Sequence, residues 1–258
     1  MLCLGKTNIG MKRSVNQDNF KITELSAHSV LAVVCDGMGG AAGGATASEL
    51  AVNTFTDYVC TKAADLAKKK FLTLAEERKV KNILLEAAAR ANTAVYKAAN
   101  EDESLHGMGT TIVATLLIAG DLYTVNVGDS RMYLIENDTI EQITHDHSYV
   151  QYLVDMGRIT PEEAKTSTRR NIITRAVGTN EAVEADLFVC RAQAGRSVAV
   201  LCTDGLANYV SPEELLFDMT ASCVDMSNEG ITAWIDDLIE RANDAGGSDN
   251  ITCVILSV

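Results

Sequence analysis

Four aspartates stand where apolar runs begin or end. LAVVC (31–35) runs into Asp36-Gly37, SVAVLCT (197–203) into Asp204-Gly205 and YTVNVG (123–128) into Asp129-Ser130, while Ser248-Asp249-Asn250 directly precedes ITCVIL (251–256). Asp18, in RSVNQDNF, makes a fifth. A carboxylate at the end of a strand with an apolar interior is partly desolvated and held by a rigid element. Unpaired, it costs several kcal/mol or takes up a proton.

Any one Asp-Gly or Asp-Ser pair is an ordinary turn; the recurrence at strand ends is not. No lysine sits beside these positions to neutralise them. Hard divalent cations remain: carboxylate and peptide oxygens suit magnesium or manganese, and neither cysteine nor histidine is placed for a zinc site. A calcium EF-hand gathers its ligands within one loop of about 12 residues, whereas these acids are spread along the whole chain. They must converge by folding, as a catalytic cluster does.

The elements that would position them follow from patterning. Apolar, β-branched runs at 30–35, 110–119, 122–127, 131–135, 197–202 and 251–256 read as strands. Residues 44–66 and 76–99 read as helices, the second with Val80, Leu84, Ala87, Ala91 and Val95 on one face. Thr160-Pro161-Glu162-Glu163 and Ser211-Pro212-Glu213-Glu214 are capping boxes that open two more, and Trp234 with Ile231, Ile235, Leu238 and Ile239 marks a further helix face. Short turns at Ala119-Gly120-Asp121 and Val127 to Arg131 predict antiparallel pairs, so the fold class is α+β rather than a strict βαβ alternation.

Composition excludes several classes. The chain has 258 residues, 47% hydrophobic and 22% charged, which fits a globular protein of one large or two small domains. With 22 basic against 35 acidic residues its net charge of -13 disfavours nucleic acid as a partner. The longest apolar run, 112–119, is far short of the ~20 residues of a membrane span, so no membrane partner is expected. MLCLGKTNIG lacks the apolar core of a secretory signal, and seven cysteines without a CxxC pair suit a reducing compartment, so a cytoplasmic location is expected.

Eight stretches in order carry a resemblance: RSVNQDNF (13–20), VCDGMGGAAGG (34–44), GTTIVATLL (109–117), NVGDSRMYL (126–134), HDHSYVQYLVDMG (145–157), TRAVGT (174–179), LCTDGL (201–206) and GGSDNITCVIL (246–256). Together they resemble the type-2C family of metal-dependent protein serine/threonine phosphatases in its bacterial form. The resemblance implies a single catalytic domain over 1–258, folded as a four-layer α-β-β-α sandwich of two antiparallel sheets flanked by helix pairs. A mobile flap at about 145–175 and a metal centre at one edge of the sandwich are implied with it.

The resemblance also implies roles. Asp36 bridges two Mn2+ or Mg2+ ions, with the Gly37 carbonyl on one and Asp204 and Asp249 on the other; Asp18 supports the centre through water, and Asp129 helps hold a weaker third ion. Arg13 forks onto the substrate phosphate. The catalytic set is then Arg13, Asp36, Asp204 and Asp249, and a metal-activated water attacks phosphoserine or phosphothreonine. Phosphorylated proteins are the implied substrates, a cognate serine/threonine kinase the implied counterpart, and a monomer the implied state.

Three positions depart from family patterns: Gln17 precedes Asp18 where some members have glutamate, Met38 follows Asp36-Gly37 where animal members have histidine, and position 41 is alanine where some bacterial members have histidine. A bound water is then the expected proton donor, ahead of His145 or His147. Rival readings are a dinucleotide fingerprint at Gly37 to Ala42 with Asp57 downstream, a C-x5-R cysteine phosphatase at Cys190 and Arg196, and a non-catalytic relative that binds phosphoproteins. Arg169-Arg170, with Arg175 nearby, is a candidate basic patch for orienting substrates.

Overall fold

The computed structural model describes residues 1–40, 43–221 and 224–258. Ala41 and Ala42, which belong to the glycine-rich turn singled out above, lie outside the described residues.

Two antiparallel sheets form the centre. In chain order the strands are β1 (Leu2–Asn8), β2 (Asp18–Ser26), β3 (Ser29–Met38), β4 (Gly109–Thr110), β5 (Ile112–Ile118), β6 (Asp121–Val127), β7 (Arg131–Glu136), β8 (Thr139–Gln142), β9 (Asp186–Arg191), β10 (Val198–Cys202) and β11 (Ile251–Ser257). One sheet has the order β1-β11-β10-β7-β8; the other has β2-β3-β5-β6-β9, with β4 paired to the end of β3. The helices are α1 (Gly43–Ala63), α2 (Leu74–Glu101), α3 (Tyr149–Asp155), α4 (Pro161–Thr166), α5 (Asp204–Ala207), α6 (Pro212–Thr220) and α7 (Asn228–Asp244).

The central strands read as unbroken apolar runs because both of their faces are covered. On β3, Leu31, Val33 and Cys35 pack under α1 and α2, while Val30, Ala32 and Val34 face the other sheet. On β10, Val200 and Cys202 pack beneath α7 and its neighbours, while Ala199 and Leu201 fill the seam between the sheets. Side chains alternate across a strand, so a strand between two layers is apolar at most positions, and buried exceptions such as Thr115 and Thr124 bond to each other.

The helices start where their caps predict. Thr160 and Ser211 cap α4 and α6 with reciprocal capping boxes, and Thr73 with Glu76 caps α2 two residues ahead of the predicted start. The structure corrects one expected pair. Ala119 and Gly120 do make a tight hairpin between β5 and β6, with φ of 54° and 86°. The short turn after Val127, however, steps from one sheet to the other: β6 lies beside β5 and β9, and β7 beside β10 and β8. A short turn at a sandwich edge can join layers as readily as it joins neighbours.

Candidate active site

The elements bring the five aspartates to one edge of the sandwich. Asp18 opens β2 and is the cross-strand partner of Asp36 on β3. Asp204 begins α5 just past β10, Asp249 lies just before β11, and Asp129 sits in the turn that crosses between the sheets. Asp36 feels the charges of Asp18, Asp204, Asp129 and Asp249.

Hydroxyls lock this arrangement. The Asp36 N–H donates to Thr111 Oγ1 at 2.9 Å, and the Thr111 and Ser130 hydroxyls share a hydrogen bond of 2.7 Å that ties Asp36 to the turn of Asp129. Thr203 and Thr252 donate to Asp18 Oδ2 at 2.9 and 2.7 Å, so groups from the five-stranded sheet hold an acid of the other. Asn250 receives the Gln17 N–H at 2.8 Å and donates to the carbonyls of Ile9 and Val15 at 2.9 and 3.1 Å, which pins the loop of Arg13 beside Asp249. Arg13 Nη2 donates to Asp249 Oδ2 at 2.6 Å, and half of the Arg13 side chain faces solvent.

The glycines of the two Asp-Gly pairs allow close backbone approach. A Cβ at Gly205 would stand 1.9 Å from the Asn250 carbonyl oxygen, and one at Gly37 would stand 2.1 Å from that of Gly44 at the start of α1. Any side chain at either position would push apart the segments that carry the acids.

Electrostatics show what the cluster lacks. Burial pushes the Asp18 carboxyl up to about 7 against the pull of its two threonine bonds, Asp129 to about 8 and Asp204 to about 6. Asp36 is driven well above the usual carboxylate range by burial and by its acidic neighbours. Asp18 Oδ1, Asp129 Oδ1 and Asp204 Oδ1 are buried with no hydrogen-bond partner. Orphaned carboxylate oxygens in a shared acidic field are what hard divalent cations satisfy, so the donor set fits magnesium or manganese. Among the described residues no three His, Cys, Asp or Glu side chains already stand as a closed ligand set; the fit rests on the unpartnered oxygens and the uncompensated charge.

Other candidates separate from this edge. His147 is buried and fully engaged: its ring Nδ1 accepts the Gly128 N–H at 3.0 Å, and Nε2 lies 3.1 Å from Asp186 Oδ2 and 2.9 Å from Arg175 Nη1. It buttresses the turn of Asp129 and has no free nitrogen for proton transfer. His145 is exposed and bonds Asp155 Oδ2 at 2.9 Å. Arg175 is bound to Asp186 at 2.7 Å and to the Glu184 carbonyl, so it leaves the expected basic patch to Arg169 and Arg170. Gln17 turns its amide to the Gly40 carbonyl.

Two rival readings fail. Cys190 lies on the edge strand β9 with its thiol pKa raised by burial, the wrong direction for a nucleophile. Asp57 lies within α1, 3.9 Å from Lys21, rather than at a strand end.

Sequence reasoning missed Thr111, Thr203, Thr252 and Asn250. Thr203 and Asn250 adjoin Asp204 and Asp249 in the chain, which was the available signal. Beside Asp129 and Asp204, a cleft of about 410 Å³ opens toward α3, α4 and α6, with Gln151, Lys165 and Arg170 on its far wall.

A family model described as Protein phosphatase 2C matches residues 5–240. A relative from Listeria welshimeri, named serine/threonine phosphatase stp, is 36% identical over 251 residues, covering 97% of this chain and 93% of its own. The crystal structure of serine/threonine phosphatase Stp1 from Staphylococcus aureus superposes with a TM-score of 0.83 at 33% identity, over 99% of this chain and 94% of that one. The catalytic domain of the serine/threonine protein phosphatase PstP, in complex with two manganese ions, gives a TM-score of 0.76 at 32% identity, over 98% and 96% of the two chains.

Proposed function

Because the chain belongs to the protein phosphatase 2C family and is a metal-dependent phosphoprotein phosphatase, we propose that its edge carboxylates hold two divalent cations beside an arginine that takes the phosphate. Asp36, the Gly37 carbonyl, Asp204 and Asp249 would hold the two ions. Asp18 would act through water, and Asp129 would help hold a weaker third. The three buried, unpartnered carboxylate oxygens carry this reading. The relative that binds two manganese ions favours manganese.

When bound, the cations supply a water acidified toward neutral pH and positive charge facing the phosphoryl oxygens. The residues of the chain do the rest. Without cations the acids around Asp36 repel a phosphate dianion, a repulsion that bound cations would offset. Arg13 uses one N–H on Asp249 and keeps the others for phosphate oxygens at the solvent edge. Thr203 and Thr252 hold Asp18 in place, while Thr111 keeps the Asp36 and Asp129 segments together. The segment at about 145–175 serves as a flap whose Gln151, Lys165 and Arg170 wall the cleft where the flanking polypeptide of a phosphoserine or phosphothreonine lies.

The enzyme acts in the cytoplasm as a monomer opposite a serine/threonine kinase, as family resemblance implies. Free thiols at all six described cysteines agree with a reducing compartment. The test is phosphate release from a phosphothreonine peptide after chelation, then with manganese restored, for wild type and Asp204→Asn. Activity that requires manganese and collapses in the variant supports the cation reading. Activity that survives chelation overturns it, and silence in every condition would favour the non-catalytic binding role.

A further inference from the structure

The chain carries a net charge of -13, yet between residues 62 and 81 it places seven lysines and arginines against three acids. They gather where α1 ends and α2 begins. Lys62 closes α1 and lines one groove with Tyr58, Arg78 and Lys79, while Lys68, Lys69 and Lys70 occupy the connection. Lys68 pairs with Asp65 and Lys69 with Glu76; Lys70, Arg78, Lys79 and Lys81 have no ion pair among the described residues.

Beside these lysines stand Phe71, 84% exposed, and Leu74, 74% exposed, the two most exposed large apolar side chains among the described residues. The backbone that presents them is fixed. Leu66 and Ala67 are buried, Leu72 packs on the same core, and the hydroxyls of Ser26 and Ser29 donate to the Ala67 carbonyl at 2.7 and 2.9 Å. Leu72 takes the inward position, so Phe71 and Leu74 are held in water. A solvated charge run accounts for the lysines and leaves those two side chains unexplained.

We propose that this end of the α1–α2 pair is a docking tip for an anionic lipid surface. Lysines ringing an exposed aromatic and a leucine match the interface of such a surface, where the ammonium groups meet anionic headgroups and the apolar side chains enter the acyl boundary. The remaining acidic surface is repelled, which orients the molecule tip-first. Attachment is peripheral, since no helix among the described residues is long and apolar enough to cross a membrane. α1 starts beside Gly37, and its 21 residues at 1.5 Å rise place the tip roughly 30 Å from the carboxylate edge. A docked molecule therefore keeps its active site clear of the lipid.

Flotation with phosphatidylcholine vesicles, with and without phosphatidylglycerol, tests this. The wild type is expected to float only with phosphatidylglycerol and to release at high salt. Charge reversal in K68E/K69E/K70E should weaken binding about 100-fold or more, and F71S/L74S about tenfold. Phe71→Trp should shift its fluorescence to the blue on anionic vesicles, and phosphate release from a small soluble substrate should be unchanged in every variant. A wild type that stays in solution, a reversed triple variant that floats as well as wild type, or binding to soluble polyglutamate without binding to vesicles would overturn the proposal.

Discussion

Asp18 on β2 and Thr252 on β11 share a 2.7 Å hydrogen bond between the two sheets although 234 positions separate them in the chain. The Thr252 hydroxyl, with that of Thr203, fixes Asp18 so that its other oxygen points into the cluster without a partner. Thr252→Val keeps the shape and removes the donor. The half-saturating manganese concentration should rise about 10- to 100-fold while the rate at saturating manganese stays near wild type. An unchanged manganese titration would show that the bond serves packing alone.

The pH dependence of stability has a definite sign. Asp18, Asp204 and Asp129 titrate at about 7, 6 and 8, against 3.8 for an ordinary aspartate, so the cation-free fold favours their protonated forms. Their stabilising contribution is complete below about pH 4 and is lost as pH rises toward about 8. Manganese displaces these protons, so it should raise Tm far more at about pH 8 than at about pH 5. Thermal scans with and without manganese check this, and equal shifts at both pH values would contradict it.

Among the described residues Arg13 is ion-paired with Asp249 alone, and half of its side chain faces solvent. Arg13→Ala should lower kcat/KM for a phosphopeptide by about 10- to 100-fold, the worth of one or two charged hydrogen bonds. Arg13→Lys should recover only part of this, because an ammonium cannot fork. Steady-state kinetics separate these outcomes.

Gly205 has no room for a methyl group against the Asn250 carbonyl. Gly205→Ala should cost roughly 3 kcal/mol, or ~6–12 °C in Tm, as the α5 and β11 segments are forced apart. Differential scanning calorimetry of the metal-free protein measures it without reference to activity.

The chain announced its interior better than its borders. Strands β3, β5, β6, β10 and β11 were legible because burial on both faces leaves few polar positions. β1, β2 and β8 were not: they are edge strands, half covered, and in Asp18–Ser26 the apolar Phe20 and Ile22 are followed on the same face by Glu24. The turn at 127–131 read as a hairpin because sequence proximity does not say whether a strand returns to its own layer. The aspartates were visible as acids at strand ends. Thr111, Thr203, Thr252 and Asn250 were not, since hydroxyl and amide residues near turns usually serve the local backbone.

The turn through Asp129 makes the site a clasp on a book. Asp18 and Asp36 belong to one cover, Asp204 and Asp249 to the other, and Asp129 lies on the spine between them. Neither cover holds a site of its own. A slip of one residue, about 3.3 Å along a strand, would separate the acids even if every strand remained paired. Turnover by this enzyme is therefore a reading of how its two sheets have closed.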